Sequence, residues 1–309
     1  MKNQFKAITF ILIHFMHTSL PAQDISSVDI QFNKLSDHLY YLKGGGANVI
    51  ASIGEDGLLL VETKLPALTD HIQNWALKHN NGPLLFVIDT HYHPDHVIGN
   101  KSWFQKGAVI ISHENARSRM STDQYSSFWD DNIPAAENEA IPVITFQKQM
   151  TLFFNGEEMR IIHIPGHTDG DAVVYFRKDN VIHIGDLVFN GTFPNADFDD
   201  GGSINQIIEA GNNVLNIINR DTRIVVGHGQ IMTKKELEEC ILMMTDIRNI
   251  VLSQIESGNT LDQVIASKPT LKYEDKWEYG SLKSAARYIE YIYQNLLKSK
   301  NSDKNEVNH

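Results

Sequence analysis

The stretch His91-Tyr92-His93-Pro94-Asp95-His96 puts four metal-ligating side chains into six residues. It follows directly on Leu84-Leu85-Phe86-Val87-Ile88, an apolar run of strand length, so it reads as a loop at the end of a buried strand. A loop in that place can aim several side chains at one point. Zinc takes three or four N, O or S donors at about 2.0–2.2 Å, and such crowding of imidazoles and a carboxylate is costly unless a cation compensates it. A lone His is more often a packed or surface residue than a ligand; four donors in this arrangement reverse that expectation.

Working outward, three more donors occupy equivalent positions, each at the end of an apolar run. His167 stands in Ile164-Pro165-Gly166-His167-Thr168, Asp186 in Ile184-Gly185-Asp186, and His228 in Gly227-His228-Gly229. A glycine beside each donor lets the backbone turn tightly and approach the site. Before the first motif, Leu39–Leu42, Asn48–Ala51 and Gly57–Val61 read as strands, with Gly44-Gly45-Gly46 as a turn between the first two. Residues 65–79 have helical spacing, 108–111 a strand and 114–120 a helix, while 121–140 read as a surface loop. Strands follow at 150–154, 159–164, 172–176 and 181–184, then a helix at 204–218 and a strand at 223–226. From Thr233 the chain reads as helical almost to Ser299, broken near Gly258-Asn259, Lys268-Pro269 and Gly280, with a charged, frayed tail from Lys298.

The motif H-x-H-x-D-H at His91 to His96, followed in order by the Gly-His, Gly-Asp and Gly-His elements, resembles the metallo-β-lactamase superfamily, the glyoxalase II-like hydrolases. The resemblance covers roughly residues 35 to 230 and implies an α/β fold, a four-layer αβ/βα sandwich, here with a helical C-terminal extension. It implies two metal ions, zinc first and iron or manganese as alternatives. His91, His93 and His167 would hold one, Asp95, His96 and His228 the other, and Asp186 would bridge them. Two cations about 3.5–4 Å apart can share and activate a water and polarise a carbonyl. Asp95 is the expected catalytic residue, orienting that nucleophile and shuttling its proton.

The expected reaction is hydrolysis of a carbonyl ester, lactone, thioester or amide of a small molecule. Three alternatives stay open: a β-lactamase, an iron-dependent persulfide-oxidising relative, and a non-catalytic metal-binding protein. β-Lactamases of the subclass with a cysteine ligand put Cys where Asp186 stands, and commonly a Lys soon after it to grip the drug's carboxylate. Here no Lys or Arg occurs from Leu187 to Asn219, and Asp197, Asp199 and Asp200 in that stretch would repel a carboxylate. Phe128, Trp129, Phe189, Phe193 and Phe198 are candidate pocket aromatics. His113, His163 and His183 are expected to pack or hydrogen-bond instead of ligating, and Asp169 and Asp171 to form a turn and strand start.

Composition bounds the rest. The 309 residues are 42% hydrophobic and 21% charged, an ordinary globular balance. A net charge of −11, from 27 Lys and Arg against 38 Asp and Glu, argues against nucleic acid as a partner. Residues 1–22 read as a signal peptide: Lys2 and Lys6, an apolar run from Ala7 to Met16, and Leu20-Pro21-Ala22 before Gln23. The run is too short for a permanent span of about 20 residues, so an exported chain, periplasmic or secreted, with no stable membrane span is expected. The domain reading is then 23–232 for the sandwich and 233–309 for the helical extension. The one cysteine, Cys240, sits in an apolar helical stretch and is expected to be a buried thiol.

Overall fold

The computed structural model describes residues 29–79, 82, 84–127 and 131–306. The leader read over 1–22 lies outside the described residues, as do Phe128 and Trp129. In chain order the first half comprises β1 (Gln31–Lys34), β2 (Leu39–Lys43), β3 (Val49–Gly54), β4 (Gly57–Val61), α1 (Thr69–His79), β5 (Leu84–Ile88), α2 (Pro94–Val97), α3 (Asn100–Phe104), β6 (Val109–His113), α4 (Glu114–Met120), β7 (Gln124–Ser126), β8 (Asp131–Ile133) and β9 (Ile144–Phe146). The second half has β10 (Gln149–Phe154), β11 (Glu157–His163), β12 (Ala172–Phe176), β13 (Val181–His183), α5 (Ile204–Ile217), β14 (Arg223–Val225), α6 (Lys234–Glu256), α7 (Leu261–Ala266) and α8 (Ala285–Glu306).

Two sheets face each other. The first runs β1-β2-β3-β4-β5-β6-β9 and the second β10-β11-β12-β13-β14. Strand alternation explains how one run serves two cores. In β4, Leu59 and Val61 point between the sheets, where they meet Ile50, Ile88, Met159, Ile161 and Val174. Leu58 and Leu60 point outward against Ile72 of α1 and Trp103 of α3. The outer face of the second sheet, with Val173, Ile182 and Ile224, is covered by α5, α6 and α8. This is the four-layer αβ/βα sandwich. Leu59 is fully buried, so Leu59→Ala should cost about 2–5 kcal/mol.

The helices beyond residue 233 share the second sheet's apolar cluster, and Cys240 is buried within it, its thiol pushed far up by burial. Among the described residues no helix is long and apolar enough to cross a membrane. At the end of the sandwich away from the ligand loops, His38 Nε2 lies 3.1 Å from Asp179 Oδ2, and the Glu157 carboxylate accepts from the amides of Glu158, Lys178 and Asp179. With Arg223 donating to the Leu35 carbonyl at 2.6 Å, this group ties the two sheets together.

Three expectations need correcting. The stretch 121–140 is not a plain loop: β7 and β8 form an antiparallel hairpin, followed by a short 3-10 turn at Asn138–Ala140. The strands β1 and β9 were not foreseen. Gln31–Lys34 is largely exposed and polar, and Ile144–Phe146, although it alternates apolar and polar residues, is only three residues long at the sheet edge. The helix α8 continues to Glu306, past the Lys298 at which a frayed tail was expected.

Candidate metal centre

The ligand loops all leave the strands at one edge of the sandwich. Three residues after β5 comes His91, then His93 stands at the N-cap of α2, whose single turn presents Asp95 and His96. Pro94 at the first helical position suits this, since a ring-locked φ and a missing N–H cost nothing there. The turn after β11 is built by Asp171, whose carboxylate accepts from the amides of Gly166, His167 and Thr168 at 2.9, 2.6 and 2.8 Å. Asp171 is thus the turn former expected, while Asp169 pairs with Arg119 at 2.7 Å.

The seven donors foreseen in the sequence converge. His91, His93 and His167 form one group with ligand atoms within 4.8 Å of one another, and Asp95, His96 and His228 form another. Asp186 lies between them: Oδ1 is 3.4 Å from His96 Nε2, and Oδ2 is 3.4 Å from His228 Nε2 and 4.0 Å from His167 Nε2. Gly227 makes room for this. A Cβ there would fall inside the contact radius of Asp186 Oδ1 and 2.7 Å from His96 Cε1.

The outer contacts fix which nitrogen each imidazole turns inward. His167 Nδ1 donates to the Asn195 carbonyl at 2.7 Å, which frees Nε2. His93 Nε2 is held by Asp197 Oδ2 at 3.1 Å, which turns Nδ1 toward His167 Nε2, 3.0 Å away. His91 Nδ1 contacts the Thr90 hydroxyl at 3.1 Å. Buried His91 Nε2, His96 Nε2 and Asp186 Oδ1 have no hydrogen-bond partner, a costly condition that a shared cation relieves. The donor set therefore fits divalent metal.

The electrostatics agree. Burial, then the neighbouring His93, lowers His167 to about 4, and His91 is likewise held well below its ordinary value. Burial opposes charge on His228 too, but Asp186 and Asp95 outweigh it and raise His228 to about 10. His96 is raised well above the usual range by Asp186, Asp95 and Glu62 against the same opposition. Desolvation raises both Asp95 and Asp186, but these imidazoles outweigh it and hold both carboxyls low. Protons thus collect where a cation would sit, and a metal must displace them. Affinity for zinc should rise at least about tenfold per pH unit between roughly pH 6 and 8, as the His228 proton is released. Competition titrations with a chromophoric chelator check this; a flat profile would contradict it.

Sequence reasoning missed Glu62. It is fully buried, holds a left-handed backbone at φ 71, accepts a hydrogen bond from the Thr90 hydroxyl, and sets Oε1 3.2 Å from His96 Nδ1. Nδ1 makes no hydrogen bond there, so Glu62 acts on His96 through its charge, and such backbone strain is held only where the surroundings impose it. The one signal was an acid ending the apolar run Gly57–Val61. The excluded histidines do pack: His113 caps α4 and stacks on His163 at 3.6 Å, and His183 Nε2 donates to the Asn48 carbonyl at 3.1 Å. Of the candidate pocket aromatics, Phe189 reaches the donors, 5.7 Å from the His228 ring. Phe193 and Phe198 instead pack against tyrosines of the C-terminal region.

The model of the metallo-beta-lactamase superfamily matches residues 43–229, a span that holds all seven donors. The chain belongs to that superfamily. Curated relatives include a hydroxyacylglutathione hydrolase of Pelagibacter ubique, 31% identical over 115 residues, 37% of this chain and 40% of that protein. An uncharacterized protein of Aquifex aeolicus is 34% identical over 146 residues, 46% of this chain and 66% of that one. The chain thus spans less than two thirds of the length of the curated relatives it matches. Among solved structures, a metallo-beta-lactamase from Pontibacter korlensis aligns with a TM-score of 0.60 at 17% identity, over 71% of this chain and all of that one. A stereoselective inverting sec-alkylsulfatase from Pseudomonas aligns at 0.64 and 16% identity, over 86% of this chain and 50% of that one. At these identities the structural likenesses speak for the fold.

Proposed function

We propose that this superfamily member is an exported dinuclear zinc hydrolase that cleaves small esters, lactones, thioesters or amides. The observation that carries the reading is the pair of three-donor groups with Asp186 between them. Two divalent ions, when bound, supply an activated water and an electrophilic seat for the substrate carbonyl oxygen. His91, His93 and His167 would hold one ion, Asp95, His96 and His228 the other, and Asp186 would touch both. The Asp95 side chain is 49% exposed and Oδ2 lies 3.0 Å from His228 Nε2, so its carboxylate stands at the open side of the group. From there it can orient the nucleophile, take its proton and pass it to the leaving group.

Within this reading, neutral esters or lactones are the better substrates and β-lactams the poorer ones. No Lys or Arg lies between Leu187 and Asn219 to hold a drug's carboxylate. The acids of that loop carry less of the argument than the sequence suggested, because they are engaged. Asp197 holds His93, Asp199 accepts from the Ser127 amide at 2.7 Å, and Asp200 pairs with Arg119 and Tyr92. Loss of a charge-assisted carboxylate contact costs about 1.5–3 kcal/mol, roughly ten- to a hundredfold in binding. The test is kcat/KM measured side by side for an aryl ester, a neutral lactone, a penicillin and a carbapenem. A β-lactam coming out best would overturn the ranking and favour the β-lactamase alternative.

Export rests on the sequence of residues 1–22. Deleting them should leave a folded protein with unchanged metal content that stays in the cytoplasm. Cell fractionation of both forms decides; equal cytoplasmic retention of the full-length chain would refute export.

A further inference from the structure

The superfamily match ends at residue 229, and α8 lies wholly beyond it. Yet one turn of α8 grips the segment that aims two of the donors. The Tyr291 hydroxyl accepts from the Ala196 amide and donates to the Ala196 carbonyl, and its ring stacks on Phe198 with centroids 3.9 Å apart and planes 17° from parallel. One turn on, buried Asn295 accepts from the Ile204 amide at 3.1 Å. Asn195 and Asp197, on either side of Ala196, touch the first donor group three times. The Asn195 carbonyl takes the His167 Nδ1 proton, the Asp197 amide donates to the His167 carbonyl at 2.6 Å, and the Asp197 carboxylate holds His93 Nε2.

We propose that Tyr291 is a positioning residue for the His91, His93 and His167 group, so that helix α8 is a working part of the metal centre. The physical reason is the direction of the imidazoles. His93 and His167 present an inward lone pair only while their outer nitrogens stay bound to Asp197 and Asn195, and those two residues flank the one Tyr291 grips. Losing an outer partner of a ligating His commonly costs ten- to a hundredfold in metal affinity. Losing the hydroxyl that sets the partners' segment should act in the same sense. The inference rests on the first donor group binding metal.

The test is Tyr291→Phe, which keeps the ring on Phe198 and removes the hydroxyl. Stepwise zinc affinities are read by competition with a chromophoric chelator, and the step missing in His93→Ala identifies the first group. The control is Tyr293→Phe, two residues along α8, which loses a comparable bond to the Asn259 carbonyl (3.2 Å) far from the donors. Tyr291→Phe should weaken the first-group step about tenfold or more, leave the second step within about twofold, and alter the cobalt(II) absorption spectrum. Tyr293→Phe should leave both steps unchanged. Wild-type steps in Tyr291→Phe, or equal weakening by Tyr293→Phe, would overturn the inference. If Tyr291→Phe does not fold, Phe198→Leu loosens the same grip from the loop side, and an unchanged first step there would overturn it equally. A wild-type protein that binds no metal would instead sink the metallohydrolase reading.

Discussion

Replacing Asp95 with Asn lowers kcat by about a hundred- to ten-thousandfold, the range lost when a positioned general base or acid is removed. The substitution keeps shape and an acceptor for His228 at the position now 3.0 Å away, but removes the negative charge and the basic oxygen. The Asp95 backbone carbonyl, which accepts from the Ala47 amide at 3.4 Å, is untouched. The fold should therefore survive, with a melting temperature within a few degrees of wild type. Metal retention by the Asp95, His96 and His228 group should weaken, so kinetics belong in saturating metal. Near wild-type turnover of any good substrate would show that the role given to Asp95 is wrong.

Gly227→Ala should be as damaging for a different reason. Its backbone is not in the left-handed region, so the cost is steric alone. The new methyl would overlap Asp186 Oδ1 and press on Asp186 Cγ at 3.1 Å and His96 Cε1 at 2.7 Å, so the residue between the two donor groups must move. A displacement of about 1 Å at a reacting centre can cost a hundredfold, and here it falls on both groups at once, so activity should drop at least that far. Gly156→Ala is the contrast: φ there is 72, but a Cβ would meet nothing nearer than Lys178 Nζ at 3.9 Å. It should cost about 1 kcal/mol of stability and leave activity intact. Equal activity in the two variants would mean that crowding at Gly227 is not what keeps Asp186 in place.

What the sequence disclosed and what it hid follow from the range of the interactions. The donors were legible because ligation demands particular side chains, and each falls at the end of an apolar run that is itself a buried strand. The break between α6 and α7 near Gly258 was legible because a backbone breaker acts locally, but the stretch from Pro269 to α8, read as helix broken only at Gly280, holds just two short 3-10 turns. Hidden were features that exist only by contact across the fold. Glu62 is an ordinary acid until Thr90 and His96, some thirty residues on, close around it. Asp197 looked like a repulsive surface charge and is a partner of His93. Phe193 and Phe198 looked like pocket aromatics, but helices beyond residue 233 claim them. The β7–β8 hairpin and the β9 edge are three-residue strands, too short for periodicity to register.

If the proposed function is right, the seven donors hold two metal ions that do the chemistry. The most direct measurement is elemental analysis of the purified full-length chain beside its activity, before and after chelation. Two divalent ions per chain, activity lost on their removal and activity restored by zinc are the expected result. One ion or none at full activity would contradict it.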